Sequence, residues 1–371
     1  MSDPRVTKLA QVLVNHSLDV QPGWQLVIDT TPLGEELALE VYAETLKRGA
    51  HPFILCQFPR SLEILFRTAS DEHLAFISPF SKMIYETPEA YLQISAIENT
   101  RGLSGVDPAK IAIRQKAQGP LMQTFVGRMA RGELHWCLTE FPTQASAQEA
   151  DMSLADYQDF VFSACKLNLA DPVAAWRQEG ERLARLSAWL KGHDRVVIKG
   201  KNIDLSLSIR GRTFIPCNGH ENLPDGEIFT GPVEDSANGW VRFSYPAIFN
   251  GREAADVELW FENGKVIREN ASKGQDMLTE ELNSDAGARY LGELGIGTNY
   301  DIPRFTKNML FDEKLGGTIH LAVGASLPET GGKNQSGLHW DMLCDMHDGE
   351  ITVDGELFYR DGKPVIGEQS A

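Results

Sequence analysis

Cysteine is scarce in this 371-residue chain, and no two cysteines lie close together. Cys56, Cys137, Cys165, Cys217 and Cys344 are odd in number and scattered. Neither a disulfide framework nor a C-x-x-C zinc site is expected from them; buried free thiols are. The chain also lacks any apolar run near the roughly 20 residues that cross a bilayer. Its opening MSDPRVTKLAQVLVNHSL carries charges and has no apolar segment followed by a small-residue cleavage site. That predicts a cytoplasmic protein with no signal peptide and no membrane partner. Positive charge is in deficit: 35 Lys and Arg against 52 Asp and Glu give a formal net charge of −17. A field of that sign repels phosphate backbones, so nucleic acid is not an expected partner.

Several motifs are missing too. GELGIG, residues 292–297, has the wrong glycine order for a dinucleotide fingerprint and follows a predicted helix instead of a strand. GGKNQSG resembles a phosphate loop in composition alone. HENLP at His220 has Pro224 where H-E-x-x-H needs its second histidine. No G-x-S-x-G elbow occurs. His135 with Cys137, and Cys344 with His347, offer one histidine and one cysteine each, and packing or surface placement accounts for both pairs.

What is present is an ordinary globular composition, 42% hydrophobic and 23% charged. At this length about two domains are expected. The first part alternates helix and strand. PRVTKLAQVLVNHSL has helical apolar spacing, GWQLVIDT reads as a strand, GEELALEVYAETLKRGA as a helix stopped by Gly49, and HPFILCQF as a second strand. Strand, helix, strand within about 30 residues is a βαβ unit. AYLQISAIEN and ELHWCLTEFP extend the same layer. Beyond the amphipathic helix Ala175 to Gly192 the patterning switches to period two, with N-G and D-G hairpin signals. The expected architecture is an α/β N-terminal domain with a largely parallel sheet, 1–190, followed by a β-rich α+β C-terminal domain, 191–371. One or two helices are expected in the second domain, such as QDMLTEELNSDAGARYLGEL.

Five polar positions in the second half stand out: Glu227, Glu293, His320, His339 and Asp341. His339 and Asp341 are i and i+2, so on a strand both side chains share a face, with Trp340 and Met342 on the other. Imidazole beside carboxylate suits zinc, manganese, cobalt or iron. His320 lies in apolar TIHLAVG. Glu227 follows a Pro-Asp-Gly turn and starts a strand. Glu293 is placed at a helix end between Gly292 and Gly295. Taken singly, a solvated glutamate or a hydrogen-bonded core histidine explains each as well, and spacing alone does not join the five.

NLPDGEIFTGP, GELGIGTN, GTIHLAVG and GKNQSGLHWDML, with NTRGLSGVDPAK upstream, resemble in order and approximate spacing the motifs of the thermophilic metalloaminopeptidase family, the aminopeptidase T type. The resemblance covers nearly the whole chain. It implies an α/β domain before a β-rich catalytic domain, a homodimer, and Glu227, Glu293, His320, His339 and Asp341 as ligands of two divalent metal ions, zinc, cobalt or manganese. It further implies a bridging water between the ions and a peptide with a free N-terminus as substrate; no general base is assigned. One departure is present: the family's metal-site tyrosine, seven residues after the histidine, is Leu327 here. Two rival readings stay open. His320, His339 and Asp341 alone would suit a non-haem Fe(II) ring-cleaving dioxygenase, although two further glutamates are then superfluous. A non-enzymatic metal- or ligand-binding protein is the other.

Overall fold

The computed structural model describes residues 3–366. It divides into two compact units: the chain up to Trp176 with Gly219–Pro224, and Arg177–Asn218 with Asp225 onward. The helix Pro172–Leu190 therefore passes from the first unit into the second. No helix among the described residues is long and apolar enough to cross a membrane.

The first unit is built on a parallel sheet. Its strands are β1 (Gln25–Thr30), β2 (His51–Cys56), β3 (Ala90–Ser95) and β4 (His135–Glu140), in the order β2-β1-β3-β4, with Asn222–Leu223 added beside β4. The helix Glu35–Lys47 returns the chain from β1 to β2. Glu35 and Glu36 lie in its first turn and Lys47 in its last, complementing the helix dipole. Leu37, Ala38 and Val41 form its buried stripe. This is the βαβ unit expected from the periodicity.

The second unit is antiparallel. One eight-stranded sheet runs Lys265–Asn270, Glu258–Glu262, Asn238–Arg242, Ile203–Ser208, Arg195–Gly200, Glu350–Val353, Glu356–Arg360, Lys363–Pro364. Three of its hairpins turn on Asn-Gly or Asp-Gly pairs, Asn263-Gly264, Asp354-Gly355 and Asp361-Gly362, and a fourth on Lys201-Asn202. Asn263 and Gly264 have φ of 48° and 79°, and Asp354 and Gly355 have 51° and 88°, as a tight hairpin of right-handed twist requires.

A second, five-stranded sheet comprises β5 (Ile215–Cys217), β6 (Glu227–Thr230), β7 (Leu291–Gly297), β8 (Thr318–Gly324) and β9 (His339–Asp345), in the order β9-β8-β7-β6-β5. Alternate residues Ile319, Leu321 and Val323 of β8, and Trp340, Met342 and Cys344 of β9, share one hydrophobic core with Val196, Ile198 and Leu205 of the larger sheet. Apolar burial thus fixes which face of the five-stranded sheet is left for polar side chains.

Two expectations need correction. The predicted helix through QDMLTEELNSDAGARYLGEL stops at Leu282, and residues 291–297 form β7. Glu293 is therefore mid-strand and buried instead of sitting at a helix end. The glycines explain the difference. A Cβ at Gly292 would run into the carbonyls of Gly324 and Ala325, and one at Gly297 into that of Leu315. These residues keep the strand bare for close neighbours, and the same glycines disfavour a helix. The cysteines are all free, but Cys56 is exposed, whereas Cys137, Cys165 and Cys344 are buried.

Candidate metal centre

The polar face of the five-stranded sheet carries all five singled-out residues. Register places them. Glu293 and Asp341 both pair with Ala322, from either side of β8. Cross-strand partners share a face, so the two carboxylates flank a methyl group that leaves space between them. His320 pairs with Gly295, His339 with Gly324, and Glu227 with Gly297. Each of the five thus has a glycine or an alanine opposite it on one neighbouring strand, while Leu343 and Cys217 stand on the other side of His320 and Glu227.

The side chains converge. His320 Nε2 lies 3.2 Å from Glu293 Oε1 and 3.4 Å from Glu227 Oε2. His339 Nε2 lies 3.3 Å from Glu293 Oε2 and 3.3 Å from Asp341 Oδ2. Glu293 therefore presents one oxygen to each imidazole. His339 Nδ1 is 2.9 Å from the Ala325 carbonyl. A proton on Nδ1 donated to that carbonyl makes Nε2 the nitrogen that would meet a metal ion beside the carboxylates. Glu227, Glu293 and His320 are buried, while His339 and Asp341 are partly exposed.

This donor set fits a divalent metal. Around an ion held tetrahedrally by nitrogen and oxygen at about 2.0–2.2 Å, neighbouring ligand atoms stand about 3.4 Å apart, close to the separations here. Glu227 Oε2, Asp341 Oδ1 and His320 Nδ1 are buried without a hydrogen-bond partner among the described residues. Burying such oxygens is costly unless a cation satisfies them.

Protonation behaves as a crowded, cation-seeking site should. Burial pushes the Glu227 carboxyl up to about 8, against the attraction of Lys314. Burial opposes charge on His320, but Glu227, Glu293 and Asp341 outweigh it and raise the imidazole to about 10. His339 is likewise opposed by burial and lifted by Asp341 and Glu293 to about 11. At Asp341 burial is outweighed by His339, and its carboxyl is held low.

Three neighbours had no signal in the sequence. Lys314 is fully buried, with Nζ 3.5 Å from Glu227 Oε1 and in contact with the Glu313 carboxylate. Within FDEKLGG it reads as part of a solvated charged turn. Cys217 and Asp225 join Glu227 in a second group whose donor atoms lie within 4.8 Å of one another. Burial, with Asp225 and Glu227 nearby, pushes the Cys217 thiol well up.

The residues of the rejected motifs have other partners. His220 stacks on His16 at 4.8 Å and lies 3.0 Å, through Nδ1, from the Ser17 carbonyl. His135 packs against Trp24, and exposed His347 pairs with Asp345 at 2.6 Å. Leu327 precedes a single 3₁₀ turn, Pro328–Thr330, and is half-buried.

A family model described as thermophilic metalloprotease (M29) matches residues 2–365. Aminopeptidase 2 of Geobacillus stearothermophilus is 26% identical, over 97% of each chain. Aminopeptidase T of Thermus thermophilus is 25% identical, over 96% of this chain and 95% of its own. The solved structure titled wild-type AmpT from Thermus thermophilus superposes with a TM-score of 0.84 at 22% identity, covering 98% of this chain and 99% of that one; it shares this fold.

Proposed function

The chain belongs to the thermophilic metalloprotease (M29) family, and as a metallo-aminopeptidase of that family, we propose, it works through two divalent ions held by Glu227, Glu293, His320, His339 and Asp341. The place of Glu293 supports this reading. Its Oε1 faces His320 and its Oε2 faces His339, which suits a carboxylate reaching toward two ions. Glu227 and His320 would complete one side, and His339 and Asp341 the other. When bound, the two ions would supply a Lewis acid for the scissile carbonyl and a bridging water acidic enough to ionise near neutral pH.

The chain's own part is preorganisation. The Ala325 carbonyl keeps the His339 proton on Nδ1 and so keeps Nε2 available. The Trp340 and Met342 side of β9 is anchored in the core, which fixes the direction of His339 and Asp341. Gly295, opposite His320, gives that imidazole its room. We take the substrate to be a peptide with a free N-terminus, and the enzyme to be a cytoplasmic homodimer.

Metal analysis of the purified protein combined with a peptide panel tests the reading. About two zinc, cobalt or manganese ions per chain are expected, with release of N-terminal residues that a chelator abolishes and the metal restores. No release with any of these metals, and no effect of chelation, would sink it. One iron per chain with oxygen uptake would instead favour the dioxygenase.

A further inference from the structure

Glu227 divides its two oxygens between different partners. Oε2 lies 3.4 Å from His320 Nε2, and Oε1 lies 3.5 Å from Lys314 Nζ. Cys217 is the register partner of Glu227 on the neighbouring strand, and with Asp225 the three offer one sulfur and two carboxylate donors within 4.8 Å of one another. A thiolate with carboxylates is a competent set for zinc or cobalt. An ion bound there would draw Glu227 away from His320.

The fold places a cation of its own at this point. Gly297, where a Cβ would meet the Leu315 carbonyl, lets the turn after Met309–Asp312 lie close on the end of β7. The Lys314 carbonyl accepts from the Asn299 amide at 3.0 Å, and Asn299 Nδ2 donates to the Asp225 carbonyl at 2.8 Å. The Lys314 side chain has no solvent exposure. Its ammonium acts on Glu227, Glu313, Asp225 and Cys217 together. One buried positive charge among three carboxylates repels a second cation arriving beside it.

We propose that Lys314 is a positioning residue whose ammonium stands in for a metal ion beside Cys217, Asp225 and Glu227, so that no metal binds there and Glu227 keeps Oε2 for the site at His320. This rests on Glu227 being a metal ligand, as proposed above. Removing the ammonium opens the second group to a divalent ion. The Cys217 thiol then loses its proton to solvent as the metal–sulfur bond forms, with no change of oxidation state.

Cobalt(II) titration of the full chain, read by metal content and absorption spectrum, tests this. The unsubstituted protein should show no thiolate-to-cobalt charge-transfer band. Lys314→Met should bind one cobalt ion more per chain and gain that band, and the added Cys217→Ser substitution should remove the band. A Lys314→Met chain that folds poorly should be rescued by cobalt, and Lys314→Gln, which fills similar space, should behave alike. A thiolate band in the unsubstituted protein overturns the proposal. So does a Lys314 variant with no extra ion and no band, or failure of both variants to fold with cobalt present. An unsubstituted chain that takes up no cobalt would instead overturn the two-ion reading, and the band in Lys314→Met would still report on the second group.

Discussion

Gly295 and His320 are register partners on adjacent strands, and the imidazole lies where a side chain at 295 would begin. Gly295→Ala should therefore displace His320 from Glu227 and Glu293. We expect loss of metal content and of most peptidase activity, with the fold retained. Gly127→Ala is the control: it lies within the helix Pro108–Ala130, and its Cβ position meets only the flexible end of the Arg131 side chain, at 3.3 Å, beyond its own chain neighbours. It should leave metal content unchanged and stabilise the protein by up to about 1 kcal/mol. Metal analysis and thermal unfolding of both variants check this, and full metal occupancy in Gly295→Ala would count against the site.

Glu293 touches both imidazoles, at 3.2 and 3.3 Å. Substituting a residue that merely supports a metal ligand costs about 10- to 100-fold in affinity or activity. Glu293→Ala should cost more, in kcat and in metal content together. Retention of two ions per chain by this variant would show that Glu293 does not join the two halves of the site.

Metal removal should change the pH dependence of stability. In the metal-free chain His320 and His339 are raised from an ordinary 6.5 to about 10 and about 11, and Glu227 from 4.5 to about 8. All three folded values lie above the unfolded ones. The histidine contribution is therefore fully present below about pH 6.5 and is lost as pH rises through 10 and 11. The Glu227 contribution is full below about pH 4.5 and is lost as pH rises through about 8. The melting temperature of chelated protein should fall from pH 6.5 to 10, and that of the metal-loaded protein much less. A chelated protein that gains stability over that range would contradict the protonation pattern.

The same protons must leave when metal enters. At pH 7 both imidazoles of the metal-free site are charged, so metal uptake should release protons. Apparent affinity should rise about tenfold per pH unit for each imidazolium displaced. An indicator dye during cobalt addition, with affinities measured between pH 6 and 8, reads this directly. Affinity independent of pH would contradict it.

Trp340 separates stability from chemistry. It is 1% exposed and packs against Phe249 at 5.4 Å between ring centres, on the core side of β9. Trp340→Ala should cost about 3–5 kcal/mol, seen in denaturant unfolding of the chelated protein. Trp340→Phe should cost less. Equal losses from both would point away from packing as the cause.

Local sequence was sufficient wherever one chemical pattern had one structural solution. The parallel layer followed from alternating helical and strand periods, and three hairpins of the large sheet from Asn-Gly and Asp-Gly pairs that accept positive φ. H-x-D placed His339 and Asp341 on one face because strand side chains alternate. Tertiary structure decided the rest. Glu293 reads as the end of a helix until β8 lies beside it, because the need for glycine at 292, 295 and 297 arises only from what packs against them. Lys314 reads as solvated until its turn is pressed onto β7, where burial and three carboxylates make it part of the site. Glu227 and His320, 93 positions apart, meet through strand pairing and shared burial, and neither is encoded in the few residues around either of them.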